Sequence, residues 1–360
     1  MSVYLPRFRP TAMSCHLVTP APPGSLHGNR MTALRWQRHL RALGLRTSIS
    51  DQWNNESADL LIALHARRSH AAIERFRTAH PERPVVLILT GTDLYRDLCG
   101  DDAARAAVLA SMQAADRLVT LQQEAIDSVP ASLHDKVVTI HQSVPPLPRQ
   151  PVGETRFLVT VIGHLRDEKD PFCIVRALRR LPDADALRVL HLGKAMDDAH
   201  RVQAEQAMQA DPRYAWRGEL PHKATLHWLA TSSVMVISSR MEGGAHVVSE
   251  AISASVPVLA SDIPGNRGLL GADYPGCFPV GDDAALAALL VRAMTEPEFI
   301  AQLTRAVGAR RALVSPDTER AAISRLIHGL IPGFDVVMNT GISTGVRTAG
   351  DTGLIKKPLD

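Results

Sequence analysis

The stretch that decides the fold is Val234-Met235-Val236-Ile237-Ser238-Ser239-Arg240-Met241-Glu242-Gly243-Gly244-Ala245-His246-Val247-Val248-Ser249-Glu250. Its first four residues are a short apolar run, the pattern of a strand buried on both faces in a parallel sheet. A Gly243-Gly244 turn follows, and a helix opens near Ala245 and His246. Glycines leave backbone N–H groups uncovered, and at a helix N-terminus such groups favour a phosphate. Glu242 precedes the turn and Glu250 lies one to two helical turns beyond it. Each can accept hydrogen bonds from hydroxyls, Glu242 from a sugar and Glu250 from a diol such as ribose. Either glutamate alone is well explained as a solvated residue beside a strand–turn–helix connection. The pair, with two glycines between and a buried strand behind, reads instead as a phosphate site flanked by hydroxyl grips.

Outward from this stretch the same strand–helix rhythm runs along most of the 360 residues. Towards the N-terminus, short apolar runs at 15–19, 60–64, 85–89, 118–121 and 137–140 read as strands of one parallel sheet. A helix is expected from about Asn29 to Leu43, ending at Gly44. The proline-rich segment Val144-Pro145-Pro146-Leu147-Pro148-Arg149-Gln150-Pro151 is stiff and reads as a linker. Beyond it, runs at 158–162, 187–192, 214–216, 234–237 and 256–260 form a second sheet, followed by helices over 283–295 and 297–311. The fold class is therefore α/β, with two parallel-sheet units joined by the linker. The expected division is an irregular leader over 1–14, a first domain over 15–143, a linker over 144–156, a second domain over 157–331 and a flexible tail over 332–360. Deleting residues 1–12 is expected to leave activity intact.

Composition narrows the function. With 45% apolar and 21% charged residues the chain is of the soluble globular type. A net charge of +3 without a basic run argues against nucleic acid. No apolar run approaches the length of a membrane helix, and the N-terminus lacks the apolar core of a secretory signal, so a cytoplasmic location is expected. Cys15, Cys99, Cys173 and Cys277 are far apart, without zinc spacing. Asp183-Ala184-Asp185 spells a DxD triplet but follows Leu181-Pro182 in a turn, and reads as a turn. No metal and no cofactor is expected.

In open α/β sheets ligands sit beyond the carboxyl ends of strands. In the first domain those ends carry Gly24, Gly28, Asn29 and Arg30, then His65, Arg67 and Arg68, then Thr90, Asp93 and Arg96. Taken singly, a capping or surface role fits each about as well. In the second domain they carry Gly163, His164, Arg166 and Lys169, and the loop Gly218-Glu219-Leu220. A lysine at a helix start opposes the dipole unless an anion shares the place, which favours a functional Lys169.

The Glu-x7-Glu spacing behind a buried strand resembles the nucleotide-sugar signature of the GT4-type retaining glycosyltransferases, and this resemblance implies the GT-B architecture, two Rossmann-like parallel-sheet domains facing a central cleft. The resemblance implies that Glu242 and the amides of Gly243, Gly244 and Ala245 meet the donor sugar and distal phosphate, and that Glu250 takes the ribose. It further implies that Gly163 and Lys169 hold the diphosphate. His164 stands where that family has arginine, with Arg166 nearby as a substitute. Gly218, Glu219 and Leu220 resemble the loop near the nucleotide base. Thr90-Gly91-Thr92-Asp93 stands where many of these enzymes have His-Gly-Thr-Asp, and a threonine is no base near neutral pH.

Longer phrases narrow the resemblance. TPAPPGSLHGNRMTALRW (Thr19–Trp36), LHARRS (Leu64–Ser69), LTGTDLYRDL (Leu89–Leu98), SSRMEGGAHVVSEA (Ser238–Ala251) and LGADYPGCFPVGD (Leu270–Asp282) resemble the selenosugar synthases of selenoneine biosynthesis. That resemblance implies joining of the anomeric carbon of a UDP-sugar to selenophosphate with release of UDP. An acceptor that arrives as an anion needs no base, and Arg30, Arg67, Arg68 and Arg96 suit one. The alternatives are a conventional GT4 hexosyltransferase acting on a sugar or other small acceptor, a non-catalytic nucleotide-sugar-binding protein, and a UDP-sugar epimerase.

Overall fold

The computed structural model describes residues 13–25, 27–150, 156–181 and 186–331. The expected leader to residue 12, part of the linker, the DxD triplet and the tail from 332 lie outside the described residues.

Two six-stranded parallel sheets make up the structure, with helices on their faces. The first contains β1 (Ser14–Val18), β2 (Arg46–Ser50), β3 (Leu60–Leu64), β4 (Val85–Ile88), β5 (Arg117–Thr120) and β6 (Val137–Thr139), in the order β2-β1-β3-β4-β5-β6. Its helices are α1 (Gly28–Ala42), α2 (His70–Ala79) and α3 (Asp102–Ala114). The second sheet runs β12-β11-β10-β7-β8-β9. It is built from β7 (Phe157–Ile162), α4 (Cys173–Leu178), β8 (Leu187–Leu192), α5 (Asp198–Ala210), β9 (Tyr214–Trp216), α6 (His222–Thr231), β10 (Val234–Ile237), α7 (His246–Ala254), β11 (Val258–Ser261), α8 (Pro264–Leu270) and β12 (Cys277–Phe278). Then come α9 (Asp283–Thr295), α10 (Pro297–Ala309) and α11 (Pro316–Leu330).

Burial explains the pattern. β3, β4 and β10 are buried along their whole length, as strands covered on both faces must be. Opposite faces of the first sheet feed separate cores, one with Trp53 and Phe76 and the other with Trp36 and Leu40. The second core also takes Ile323, Leu326 and Ile327 from α11. The last helix, which the sequence division places with the second sheet, thus packs on the first. The chain crosses between the units twice, and the crossings are joined by a bond from Val144 N to Val314 O of 2.9 Å.

In each sheet the strand order reverses once, between β1 and β3 and between β7 and β10. Such switch points open a crevice beyond the strand ends, where ligands bind in open α/β sheets. No helix among the described residues is long and apolar enough to cross a membrane.

Candidate functional site

The switch point of the second sheet brings the strongest sequence candidates together. β7 and β10 pair directly, with Val161 opposite Val236. The chain leaving β7 passes Gly163, His164 and Arg166 into a 3-10 turn at Asp167–Lys169. The chain leaving β10 passes Glu242 and the two glycines into α7. Ser238 Oγ fastens the two, donating to the carbonyls of Lys169 and Asp170 at 3.1 and 2.8 Å. As a result Lys169 Nζ forms an ion pair with Glu242 Oε1. Ser239 Oγ donates to the same oxygen at 2.6 Å, which fixes the carboxylate. An ammonium has three donors, so this pairing leaves others for an incoming oxygen.

Ala245, the N-cap of α7, makes no side-chain cap bond, and the first turn holds no acidic residue. The positive end of the helix dipole is therefore uncompensated by a side chain. Further along α7, Glu250 is 4% exposed. His222 Nε2, from the first residue of α6, meets Glu250 Oε1 at 2.7 Å, and His246 Nε2 lies 3.6 Å from the same oxygen. The bond to Glu250 raises the His222 pKa. Burial pulls that of His246 down to about 4.

The glycine pair has a structural cause besides phosphate access. A Cβ on Gly243 would sit 2.8 Å from the carbonyl carbon of Thr90, and one on Gly244 would sit 2.8 Å from Leu121 Cβ. The turn is pressed against the ends of β4 and β5, so glycine is required there by packing between the units. By contrast Gly218 has open space around it but a φ of +67°, so it is required by conformation.

His164 Nδ1 accepts from the Lys194 N–H at 3.1 Å, which puts the ring proton on Nε2. Burial lowers its pKa, and Arg166, His27 and Lys169 add to this against the pull of Glu219. His164 thus presents a neutral donor at pH 7 at the position where the resembling family has an arginine. Arg166 Nε lies 3.8 Å from Glu168 Oε2, its side chain 43% exposed. Glu219 is exposed and Leu220 half-buried.

On the facing unit the acceptor candidates divide into two groups. His65, Thr90 and Asp93 turn onto one another. Asp93 is fully buried and accepts from the N–H groups of Ala66 and Thr90 at 2.8 and 2.6 Å and from Thr90 Oγ1 at 2.9 Å. Burial raises the Asp93 pKa. His65 is buried at a left-handed φ of +73°, with Nε2 3.0 Å from Thr92 Oγ1. Arg67 and Arg96 both reach Asp97 Oδ1, at 3.4 and 3.1 Å. Asp97 was not singled out in the sequence, and it closes a turn of π-helix over Asp93–Asp97. The other group sits at the start of α1. Gly24 has a φ of +80°, Gly28 has no neighbour within 4 Å of its Cβ position, and Asn29 is half-buried. Arg30 holds its Nε and Nη1 buried with no hydrogen-bond partner. The structure thus separates Arg30 from the arginines that are already paired.

Comparison with known proteins agrees with the geometry. Residues 148–308 match the family described as glycosyl transferases group 1. Over these residues the chain is similar to that family's domain. The chain is 24% identical over 299 residues, 76% of this chain and 85% of the relative, to glycosyltransferase 1 domain-containing protein 1 of Xenopus tropicalis. Among solved structures, sucrose-phosphate synthase of Thermosynechococcus elongatus superposes with a TM-score of 0.75 at 15% identity, covering 88% of this chain and 99% of that one. The Anabaena protein HepE, in complex with UDP and glucose, gives a TM-score of 0.71 at 14% identity over 88% of this chain and all of its own. The two-sheet arrangement is the GT-B fold of these neighbours. In that arrangement Lys169, Glu242 and the glycine turn lie together beyond the β7–β10 switch point, with Glu250 further along α7.

Proposed function

We propose that the protein is a glycosyltransferase that moves the sugar of a UDP-sugar, UDP-N-acetylglucosamine or a close relative, onto selenophosphate and releases UDP. The donor half rests on the Lys169–Glu242 pair at the uncapped mouth of α7, with Glu250 further along the same helix. In this reading the diphosphate takes the bare amides from Gly243 to His246 and the remaining donors of Lys169. Gly163 leaves room above that lysine, and His164 and Arg166 add a neutral and a charged donor. Glu242 orients the sugar, Glu250 holds the ribose, and the Gly218–Leu220 loop lies by the base. The Anabaena neighbour's complex with UDP and glucose supports a nucleotide-sugar cleft of this kind.

The chemistry needs negative charge stabilised on the departing UDP. A selenium lone pair forms the bond to the anomeric carbon as the carbon–oxygen bond to UDP breaks, and the oxygen keeps the electron pair. Water then cleaves the phosphorus–selenium bond, giving phosphate and the selenol. Two observations favour an acceptor that arrives charged. Thr90 is no base, and its hydroxyl is committed to Asp93. Arg30 keeps unpaired donors at the start of α1. Lysine and helix amides offset the negative charge on the leaving group, so this reading needs no metal or other cofactor.

The test is incubation with UDP-N-acetylglucosamine and selenophosphate, followed by mass spectrometry. A sugar carrying the selenium isotope pattern, formed with UDP, is expected. Transfer to a sugar or sugar phosphate, with none to selenium, would keep the donor half and overturn the acceptor half. Binding without turnover would mark a nucleotide-sugar sensor, and isomerisation of the donor alone an epimerase.

A further inference from the structure

A buried polar chain runs from α11 through α1 to the glycine turn, and none of its side chains belongs to the site described above. Glu319, on α11, is 1% exposed and accepts both contacts of Arg35 Nε, at 3.0 and 2.9 Å. His39 Nε2 at 3.2 Å, the N–H of Ser143 at 2.9 Å and the Ser143 hydroxyl complete its partners. Arg35 Nη2 passes on to Gln142 Oε1 at 3.0 Å, where Thr32 Oγ1 also donates at 3.1 Å. With two donors on its oxygen, the Gln142 amide has one orientation, and its Nε2 donates to the carbonyl oxygen of Gly244. Gln142 is 5% exposed.

We infer that Gln142 is a positioning residue: held by Arg35 and Glu319, it pins the Gly244 carbonyl and so sets the mouth of α7 for the donor diphosphate. The physical need is plain. Two successive glycines have more backbone freedom than any other pair, and that freedom must be lost when a ligand is held. The peptide from Gly244 to Ala245 is planar, so gripping its oxygen fixes the path of the turn and the N–H groups on either side. A turn fixed beforehand binds an anion without reorganising. Gln142 also lies where the chain crosses between the units, next to Ser143, which Glu319 holds.

The inference rests on the donor reading, and the test separates the two. UDP and uridine are titrated calorimetrically into the full chain, as wild type, Gln142→Glu and Gln142→Met. Q142E is isosteric and keeps the acceptor for Arg35 and Thr32 while losing the donor to Gly244. Q142M removes the donor without adding charge. Both are expected to weaken UDP binding about tenfold or more while uridine affinity changes less than about twofold, because uridine lacks the phosphates that the turn holds. Parallel loss of UDP and uridine would mean a merely structural role and overturn the inference, as would wild-type UDP affinity in both variants. Should Q142M fail to fold, Q142E is titrated at low and high ionic strength: a selective loss of UDP affinity that persists at high salt supports positioning, and one that vanishes marks charge repulsion and overturns the inference. Wild-type protein without affinity for UDP would remove the donor reading itself and the inference with it.

Discussion

Lys169 is placed by a chain of small causes: the left-handed φ of 40° at Asp170, the Ser238 bonds to two backbone carbonyls, and the pairing with Glu242. If its ammonium stabilises the leaving diphosphate, Lys169→Ala lowers kcat by about 100-fold or more in a UDP-release assay. An unchanged rate would take Lys169 out of the mechanism. Arg30 gives the matching test on the facing unit. Arg30→Met raises the KM for an anionic acceptor about tenfold or more, with the donor KM little changed. On the proposed metal-independent reading, excess EDTA should leave the wild-type rate unaltered, and a loss of rate restored by a divalent cation would overturn that part of it. The residues that hold these groups were not legible in the sequence. Ser239, His222 and Asp97 are polar residues of ordinary appearance, and only the fold brings them to Glu242, Glu250 and the two arginines.

At the scale of elements, the glycine turn is caught between α7 behind it and the ends of β4 and β5 in front. Gly244→Ala would drive a methyl group against Leu121 and lower stability by about 1–3 kcal/mol in a thermal melt, as overpacking does. Gly218→Ala, in open space, meets only the cost of its left-handed backbone, about 1 kcal/mol. Buried strands were readable because continuous apolar runs have few other meanings: β3, β8, β9 and β10 occupy the residues expected of them. β2 escaped notice because Arg46–Ser50 is a polar, partly exposed edge strand, and β12 because it is only two residues long. α11 carries its apolar face at 323, 326 and 327, but nothing in the sequence says that this face crosses to the other sheet.

For the whole molecule, Glu319 is the tie between the last helix and the first unit. Burial alone would raise its pKa, but Arg35, His39 and Ser143 outweigh that and bring it down to about 2 from an ordinary 4.5. The stabilisation it contributes is present above the ordinary value and is lost as pH falls through the folded one. Linkage across that interval is worth roughly 3 kcal/mol. Unfolding free energy should fall from about pH 4.5 towards pH 2, and Glu319→Gln should flatten that fall. An equal acid dependence in the variant would show that other carboxylates set it. That network spans contacts up to 284 residues apart in the chain, which is why it was invisible to local pattern.

In the proposed function the C-terminal unit holds a UDP-sugar by its diphosphate and ribose. Calorimetric titration of UDP into wild type and Glu250→Ala tests it most directly. One saturable site, displaced by UDP-N-acetylglucosamine and weakened about tenfold or more in the variant, is the predicted result. No binding to wild type, or equal binding to both proteins, would contradict it.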